Sequence, residues 1–241
     1  MECLNCKTLF EGKFCPECGQ KSETKRFTFQ KITNDTFTTI TNADKGFFFN
    51  LKNLTLNPGD NINNYLDGKR KHVFNPFSYA FIAIGLYLIV DHYYDYSLYS
   101  SVSNTDNKIK DIVPETYNLG QKIGQFTRKY LKFFYLLNII YLSLMTWSIL
   151  RKRNFVEHLV SNAFIIGHAI IITVVFIPLI KVPIFFNPVT LISIGILMYF
   201  TYRAYEEKFI ILLTIMFGIV ISFLLQLIVP TIIIWLKGML F

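Results

Sequence analysis

The stretch LVSNAFIIGHAIIITVVFIPLI, residues 159–180, indicates the class of fold because it contains no Asp, Glu, Lys or Arg. An uncharged apolar run of about 18 residues or more is typical of a helix that crosses a membrane. Several such runs follow Pro76, whereas the apolar residues before Pro76 are scattered. The chain has 241 residues, of which 52% are hydrophobic. This uneven distribution argues against an ordinary soluble protein of one or two domains.

The same criterion predicts five membrane-spanning helices. They cover residues 77–94, 131–150, 159–180, 189–202 and 209–235. The predicted fold over residues 76–241 is therefore an all-α integral membrane helical bundle, because a helix satisfies its own backbone hydrogen bonds inside the bilayer.

Basic residues near the ends of these helices predict their orientation. Residues 69–71, residues 151–153, and Arg203 with Lys208 fall on one side when the chain is threaded alternately. Cytoplasmic loops carry an excess of Lys and Arg. We therefore expect a bacterial inner-membrane protein with a cytoplasmic N-terminus and a periplasmic C-terminus, although residues 128–132 place three basic residues on the opposite side. The net charge of +8 has the same explanation, so no nucleic-acid partner is expected.

All four cysteines lie in residues 1–26, here named the four-cysteine module. Their spacing is Cys-x2-Cys, eight residues, Cys-x2-Cys, formed by Cys3, Cys6, Cys15 and Cys18. Two such pairs direct four thiolates at one centre, as in a structural zinc ribbon with no open coordination position. Residues 1–26 do not have the pattern of a secretory signal peptide, so we expect them to stay in the cytoplasm, where reduced thiols favour metal binding over disulfides. Iron in the same cage and a redox dithiol remain alternatives.

Residues 27–75 are predicted to be cytoplasmic or interfacial. Residues 44–56 carry apolar side chains at helical spacing, which is typical of an amphipathic helix lying along the lipid headgroups. The Pro58-Gly59 pair is predicted to end this helix. A second short helix is predicted to begin with Asp60 as its N-cap and to end near Gly68.

A basic cluster directly precedes the first predicted span. Lys69, Arg70, Lys71 and His72 are candidates for binding a lipid headgroup or phosphate, with Arg70 supplying a bidentate fork. Each basic residue close to an anionic membrane surface contributes about 1 kcal/mol of attraction. The alternative is that the cluster only sets the topology.

Five polar residues in or beside the predicted spans are further candidates, because ionisable groups inside a membrane are costly. Glu157 and His158 are expected at the headgroup level, and His168 nearer the middle of its helix. The two histidines lie about 15 Å apart along a helix, too far to share one metal. His168 is either a neutral residue hydrogen-bonded between helices or part of a proton or substrate path. Asn138 and Gln226 are most simply hydrogen-bond partners between helices.

A weaker candidate lies at the far end of the first span. Asp91, His92 and Asp95 fall within about one helical turn and carry ligand types that bind divalent cations. Their alternative role is solvation at the membrane interface. The chain has no nucleophile elbow, phosphate-binding loop or HExxH motif, so no catalytic residue is predicted.

Three stretches of the chain resemble the DUF3667 family. They are CLNC…FCPECGQ in residues 3–20, DKGFFFNLKNLTLNPGDNINNYLDGKRKHVFNPFSY in residues 44–79, and NFVEHLVSNAFIIGH in residues 154–168. The resemblance implies a bacterial membrane protein, largely of Bacteroidota, with a zinc-ribbon-like start. It supplies no function and no catalytic residues.

The leading hypothesis for function is a non-enzymatic inner-membrane protein whose structural zinc ribbon docks a cytoplasmic or membrane protein partner, or which engages membrane lipids. A small transporter or channel that uses His168, Asn138 and Gln226 is the first alternative. The second is a lipid-modifying enzyme centred on Arg70, Glu157 and His158.

Overall fold

The structure is a computed structural model that describes residues 1–22, 44–93, 135–179, 187–204 and 206–240. Its regular elements within these residues are helices, which confirms the predicted all-α class. The helices are α1 (Asp44–Leu56), α2 (Pro58–Leu66), α3 (Pro76–Tyr93), α4 (Tyr135–Ile149), α5 (Phe155–Phe176), α6 (Pro188–Tyr202) and α7 (Lys208–Leu240).

Each of the five predicted spans overlaps one of the helices α3 to α7. The apolar runs in the sequence therefore located every one of these helices. In the part of the chain that the structure describes, one helix, α5, is long and apolar enough to cross a membrane by itself. The described parts of α4 and α6 are apolar but shorter.

The central helix, α5, starts and ends four residues earlier than the predicted span of residues 159–180. A capping box fixes its start: Asn154 Oδ1 accepts from the Glu157 backbone N–H at 2.8 Å, and Glu157 Oε2 accepts from the Asn154 N–H at 2.9 Å. Pro178 follows its end and cannot continue the hydrogen-bond ladder. Glu157 and His158 are consequently inside the helix and only 1% exposed. Their expected position at the headgroup level stays a prediction.

The helix α5 packs against α3, α6 and the short helices α1 and α2. It crosses α3 closely at Gly167, where an added Cβ would lie 2.9 Å from the Cα of Ala80. Small residues at such a crossing let two backbones approach, which is typical of helices packed in a membrane. Tyr79 and Phe164 fill the space beside this contact with fully buried rings.

The helix α1 is attached to the rest of the bundle. Its Leu54 side chain is buried in the main core. Asn50 donates to the carbonyl of Phe74 at 3.0 Å and accepts from the Phe74 N–H at 3.1 Å. These two bonds attach α1 to the segment that leads into α3.

The helix α2 begins at Pro58 with Asn57 as its N-cap, so the prediction of Asp60 as the N-cap is wrong. Proline is favoured at the first helical position because it has no N–H that would need a partner there. Asp60 lies in the first turn instead.

The three basic clusters that the threading placed together lie at one end of the bundle. Arg153 Nη2 is 2.8 Å from Asp67 Oδ1, beside the end of α2, and Lys152 Nζ is 3.8 Å from Glu206 Oε1, beside the start of α7. Residues 67–71 and 151–153, together with Arg203, Glu206 and Lys208, therefore lie at the same end of the molecule.

Candidate metal centre and its contact with the basic loop

The four cysteine sulfurs form one cluster, in which all Sγ atoms lie within 4.8 Å of one another. The Sγ atoms of Cys3 and Cys18 are 3.6 Å apart, and those of Cys6 and Cys15 are 3.5 Å apart. A disulfide would need about 2.05 Å. Metal–sulfur bonds of about 2.3 Å in a tetrahedron place the sulfurs about 3.8 Å apart. The cluster therefore fits a metal ion held by four thiolates.

The cysteines lie in two knuckles, residues 1–10 and 13–22, whose backbone hydrogen bonds are equivalent after a shift of twelve residues. In the first knuckle, the Cys3 N–H donates to the Thr8 carbonyl and the Lys7 N–H donates to the Cys3 carbonyl, both at 2.9 Å. In the second knuckle, the Cys15 N–H donates to the Gln20 carbonyl and the Gly19 N–H donates to the Cys15 carbonyl, both at 2.8 Å. Both knuckles thus present their cysteine pair in the same way.

Cys6 and Cys18, at equivalent positions of the two knuckles, have pKa values shifted in opposite directions. The Thr8 hydroxyl, 3.3 Å from Cys6 Sγ, and the Thr8 N–H stabilise the thiolate and lower the pKa of Cys6 to about 6. The backbone N–H of Gln20 favours the Cys18 thiolate, but burial and the neighbouring thiols outweigh it and raise the pKa of Cys18 to about 11. Four adjacent sulfurs cannot all ionise without a cation between them. This donor set therefore suits a divalent metal, which deprotonates its thiol ligands.

Gln20 connects the second knuckle to residues 68–72, here named the basic loop. Its side chain is only 5% exposed. The Nε2 of Gln20 donates to the Gly68 carbonyl at 2.9 Å, and its Oε1 accepts from the N–H groups of Arg70 at 3.1 Å and Lys71 at 3.3 Å. Gln20 was not predicted from the sequence as a site residue. It lies in the family-like string FCPECGQ, but nothing else distinguishes it from other polar residues.

The basic loop holds the predicted headgroup candidates against the protein. Lys69 Nζ donates to Asn64 Oδ1 at 3.0 Å. Arg70 donates from Nε to the Tyr65 carbonyl at 3.2 Å, and its guanidinium carbon lies 5.5 Å from the Tyr65 ring centroid. The side chain of Lys71 approaches Gly19 of the second knuckle. The last member, His72, is exposed, with its ring beside that of Phe49.

His168 bridges three helices. The Tyr79 hydroxyl lies 2.8 Å from its Nδ1, and the Thr55 hydroxyl oxygen lies 3.2 Å from its Nε2. Thr55 uses its single hydroxyl proton on the Leu51 carbonyl at 2.7 Å. His168 Nε2 must therefore donate to Thr55, and Nδ1 accepts from Tyr79, which assigns one neutral tautomer. The residue links α5 to α3 and α1.

His158 has a parallel arrangement in a separate network. Its Nε2 donates to the Leu150 carbonyl at 2.8 Å, so its Nδ1 accepts from the Tyr202 hydroxyl at 3.1 Å. The tyrosine partners of both histidines were missed, although a buried Tyr hydroxyl generally needs a hydrogen-bond partner. The carboxylate of Glu157 caps its own helix. The structure thus does not combine the two histidines into one site.

The remaining candidates are dispersed. Asn138 lies on α4, where its Oδ1 is buried and accepts no hydrogen bond from the described residues. Gln226 lies on α7, and its side chain is outside the described part of the structure. Asp91 accepts a hydrogen bond from Tyr87 at 2.8 Å. Asp95, the other carboxylate of that candidate cation site, is outside the described residues.

Comparison with known proteins supports the resemblance found in the sequence. Residues 44–88 match the model of a family described as "Protein of unknown function (DUF3667)". The matched segment runs from α1 into α3 and contains the basic loop that Gln20 contacts. Neither the curated proteins nor the solved structures give a match. Over residues 44–88, less than half of its length, the chain is thus similar to the DUF3667 family.

Proposed function

We propose that this chain is a non-enzymatic, multi-pass protein of a bacterial inner membrane. Its zinc ribbon is fixed to the basic loop and holds that loop at the cytoplasmic surface, where the loop engages anionic lipid headgroups. The observation that carries this proposal is the set of three hydrogen bonds from the Gln20 side chain to Gly68, Arg70 and Lys71. They join the metal-binding head to a cationic loop at the end of the bundle.

The surface of α7 supports a location in lipid. Nine large apolar side chains of this helix, from Phe209 to Leu236, are each at least 47% exposed. A continuous apolar surface of this kind is unfavourable in water but is solvated by hydrocarbon chains. The helix has 33 residues and a length of about 50 Å, more than the roughly 30 Å needed to cross the hydrocarbon core. The other four helices α3 to α6 would complete five crossings.

Zinc is the metal that the four-cysteine module suits best. Four thiolates leave no position for a substrate, so the site is structural rather than catalytic. The core of the module consists of Cys3, Phe10 and Cys15, with Cys18 packed against them. So small a core leaves the folding energy to the metal. Elemental analysis of the purified chain distinguishes zinc from iron and from a metal-free dithiol.

The position of the charges supports a cytoplasmic head. The four-cysteine module contacts the basic loop, and two further basic clusters lie at the same end of the bundle. An excess of Lys and Arg on one side marks that side as cytoplasmic. On the module itself, Leu9 and Phe14 are exposed and offer an apolar contact to a protein partner.

Transport and lipid chemistry receive less support. Both ring nitrogens of His158 and of His168 are engaged in hydrogen bonds within the protein. The Glu157 carboxylate caps α5, and Arg70 donates to the carbonyl of Tyr65. Residues with these contacts stabilise the bundle, which is a sufficient reason for their burial.

The test compares the full chain in nanodiscs of anionic phosphatidylglycerol with the same chain in zwitterionic nanodiscs. Anionic lipid should stabilise the wild-type protein against thermal unfolding. The double variant Lys69→Gln with Lys71→Gln should lose about 2 kcal/mol of that gain, at about 1 kcal/mol for each basic residue. The matched control, Lys13→Gln with Lys52→Gln, removes two exposed lysines outside the loop. If anionic lipid stabilises both double variants equally, the basic loop does not bind lipid headgroups.

A further inference from the structure

We propose that a groove beside α6 binds one zwitterionic phospholipid, with its phosphate at Arg203, its ammonium group at Asp60 and one acyl chain along the helix. The groove has a volume of about 300 Å³, at the lower end of the range for ligand pockets. This inference rests on the proposed membrane location, but it concerns residues outside the basic loop.

The shape of the groove suits an extended chain. Its α6 wall runs from Ser193 to Arg203, a distance of about 15 Å at the rise of an α-helix. His168 and Ile172 of α5 form the facing wall, and the turn between α1 and α2 closes one side. An elongated groove of this kind accommodates part of one acyl chain.

The groove has mainly apolar walls, with a few polar side chains between them, and is open at the surface. Leu54, Leu197 and Phe200 contribute apolar walls. Leu56 and Ile196, which also line it, are exposed large apolar residues. In a bilayer, such an opening faces lipid, so a chain can enter sideways without crossing water.

The mouth of the groove carries one acid and one base. Asp60 and Arg203 are its ionised side chains, both exposed, and no ion pair joins them in the described part of the chain. The Arg203 guanidinium carbon lies 4.5 Å from the Phe200 ring centroid, which holds the cation beside the groove. Because the two charges cancel, the mouth complements a headgroup with one phosphate and one ammonium group rather than a purely anionic one.

A hydrogen bond fixes the groove wall beside Asp60. Asn63, three residues later on α2, also lines the groove. Its Nδ2 donates to the Thr201 carbonyl at 3.0 Å, which ties α2 to the end of α6. The exposed Asp60 carboxylate is the acceptor that an ammonium group with three donors would meet at this end of the groove.

The test titrates the purified full chain in detergent with dioctanoyl phosphatidylethanolamine and with dioctanoyl phosphatidylglycerol, with native mass spectrometry as the readout. We expect phosphatidylethanolamine to bind more tightly, and Arg203→Gln to weaken its binding about tenfold through loss of a charged hydrogen bond. Asp60→Asn should shift the preference towards phosphatidylglycerol. Ile196→Trp, a change at an exposed position, should block the groove. Arg151→Gln, at the same end of the bundle, is the matched control and should bind as the wild type does.

Two results would overturn the inference: a wild-type preference for phosphatidylglycerol, or equal phosphatidylethanolamine binding in the wild type and all three groove variants. Cell fractionation distinguishes a wrong lipid site in the groove from a wrong assignment of the chain as a membrane protein. A chain recovered in the soluble fraction rejects the membrane protein itself. A chain extracted from membranes that shows none of the expected differences rejects the groove alone.

Discussion

The two knuckles of the four-cysteine module have equivalent backbone hydrogen bonds but different surroundings. The first knuckle, residues 1–10, places Thr8 where the second places Gln20. Thr8 contacts the sulfur of Cys6, whereas the Gln20 side chain reaches across to the basic loop. The metal-binding geometry is therefore common to both knuckles, whereas the hydrogen bonds of the Gln20 side chain to the basic loop belong to the second knuckle.

The largest expected effect tests what the knuckles share. Cys3→Ser and Cys15→Ser should each abolish metal binding and unfold the whole module, because one metal holds both knuckles. The apparent free energy of binding for such structural zinc sites is about 10–16 kcal/mol. Elemental analysis and limited proteolysis of the full chain measure the loss, and a chelator added to the wild type should reproduce it. Retention of a protease-resistant knuckle in either variant would show that the two knuckles fold independently.

The next effect tests what separates the knuckles. Gln20→Ala should undock the module, at a cost of about 2–4 kcal/mol for three lost hydrogen bonds. Thr8→Ala, at the equivalent position, should leave docking unchanged because its side chain makes no contact with the loop. The measurement is protease cleavage between residues 22 and 44, which should become faster in Gln20→Ala only. If both variants are cleaved at the same rate, Gln20 has no special role in docking.

The smallest effect concerns backbone strain at equivalent positions. Lys7 and Gly19 both adopt left-handed backbone angles, with φ of 67° and 68°. Gly19→Ala should cost about 1–2 kcal/mol, because a side chain is disfavoured in this region. Its Cβ would also lie 3.1 Å from the Nζ of Lys71. Lys7→Gly removes the same strain and should not destabilise the module, as thermal unfolding of the metal-bound chain would show. A stability loss for Lys7→Gly as large as that for Gly19→Ala would contradict the equivalence of the knuckles.

The cysteine cluster and the helices could be predicted because their determinants are local in the sequence. Two Cys-x2-Cys pairs specify a metal cage by spacing alone, and apolar runs located α3 to α7. The start of α5 was misplaced because the apolar pattern gave no weight to the capping box of Asn154 and Glu157. The apolar pattern indicates which part of the chain is buried in a helix, but it does not identify the polar residues at which the helix begins.

The contacts that build the candidate site could not be predicted, because they join distant parts of the chain. Gln20 and Gly68 are 48 residues apart, and Tyr79 and His168 are 89 residues apart. A single glutamine or tyrosine carries no sequence pattern that identifies its partner. The packing of α1 and α2 against α5 brings such residues together, and only the folded chain shows it.

Hydrogen–deuterium exchange at the amides of Arg70 and Lys71 tests most directly whether the metal-binding head is fixed to the basic loop. Both N–H groups donate to Gln20 Oε1, so we predict slow exchange in the metal-bound wild-type chain. Exchange should become fast in Gln20→Ala and after chelation, and should remain slow in Thr8→Ala. Equal exchange rates in all four samples would contradict the docking of the head on the basic loop.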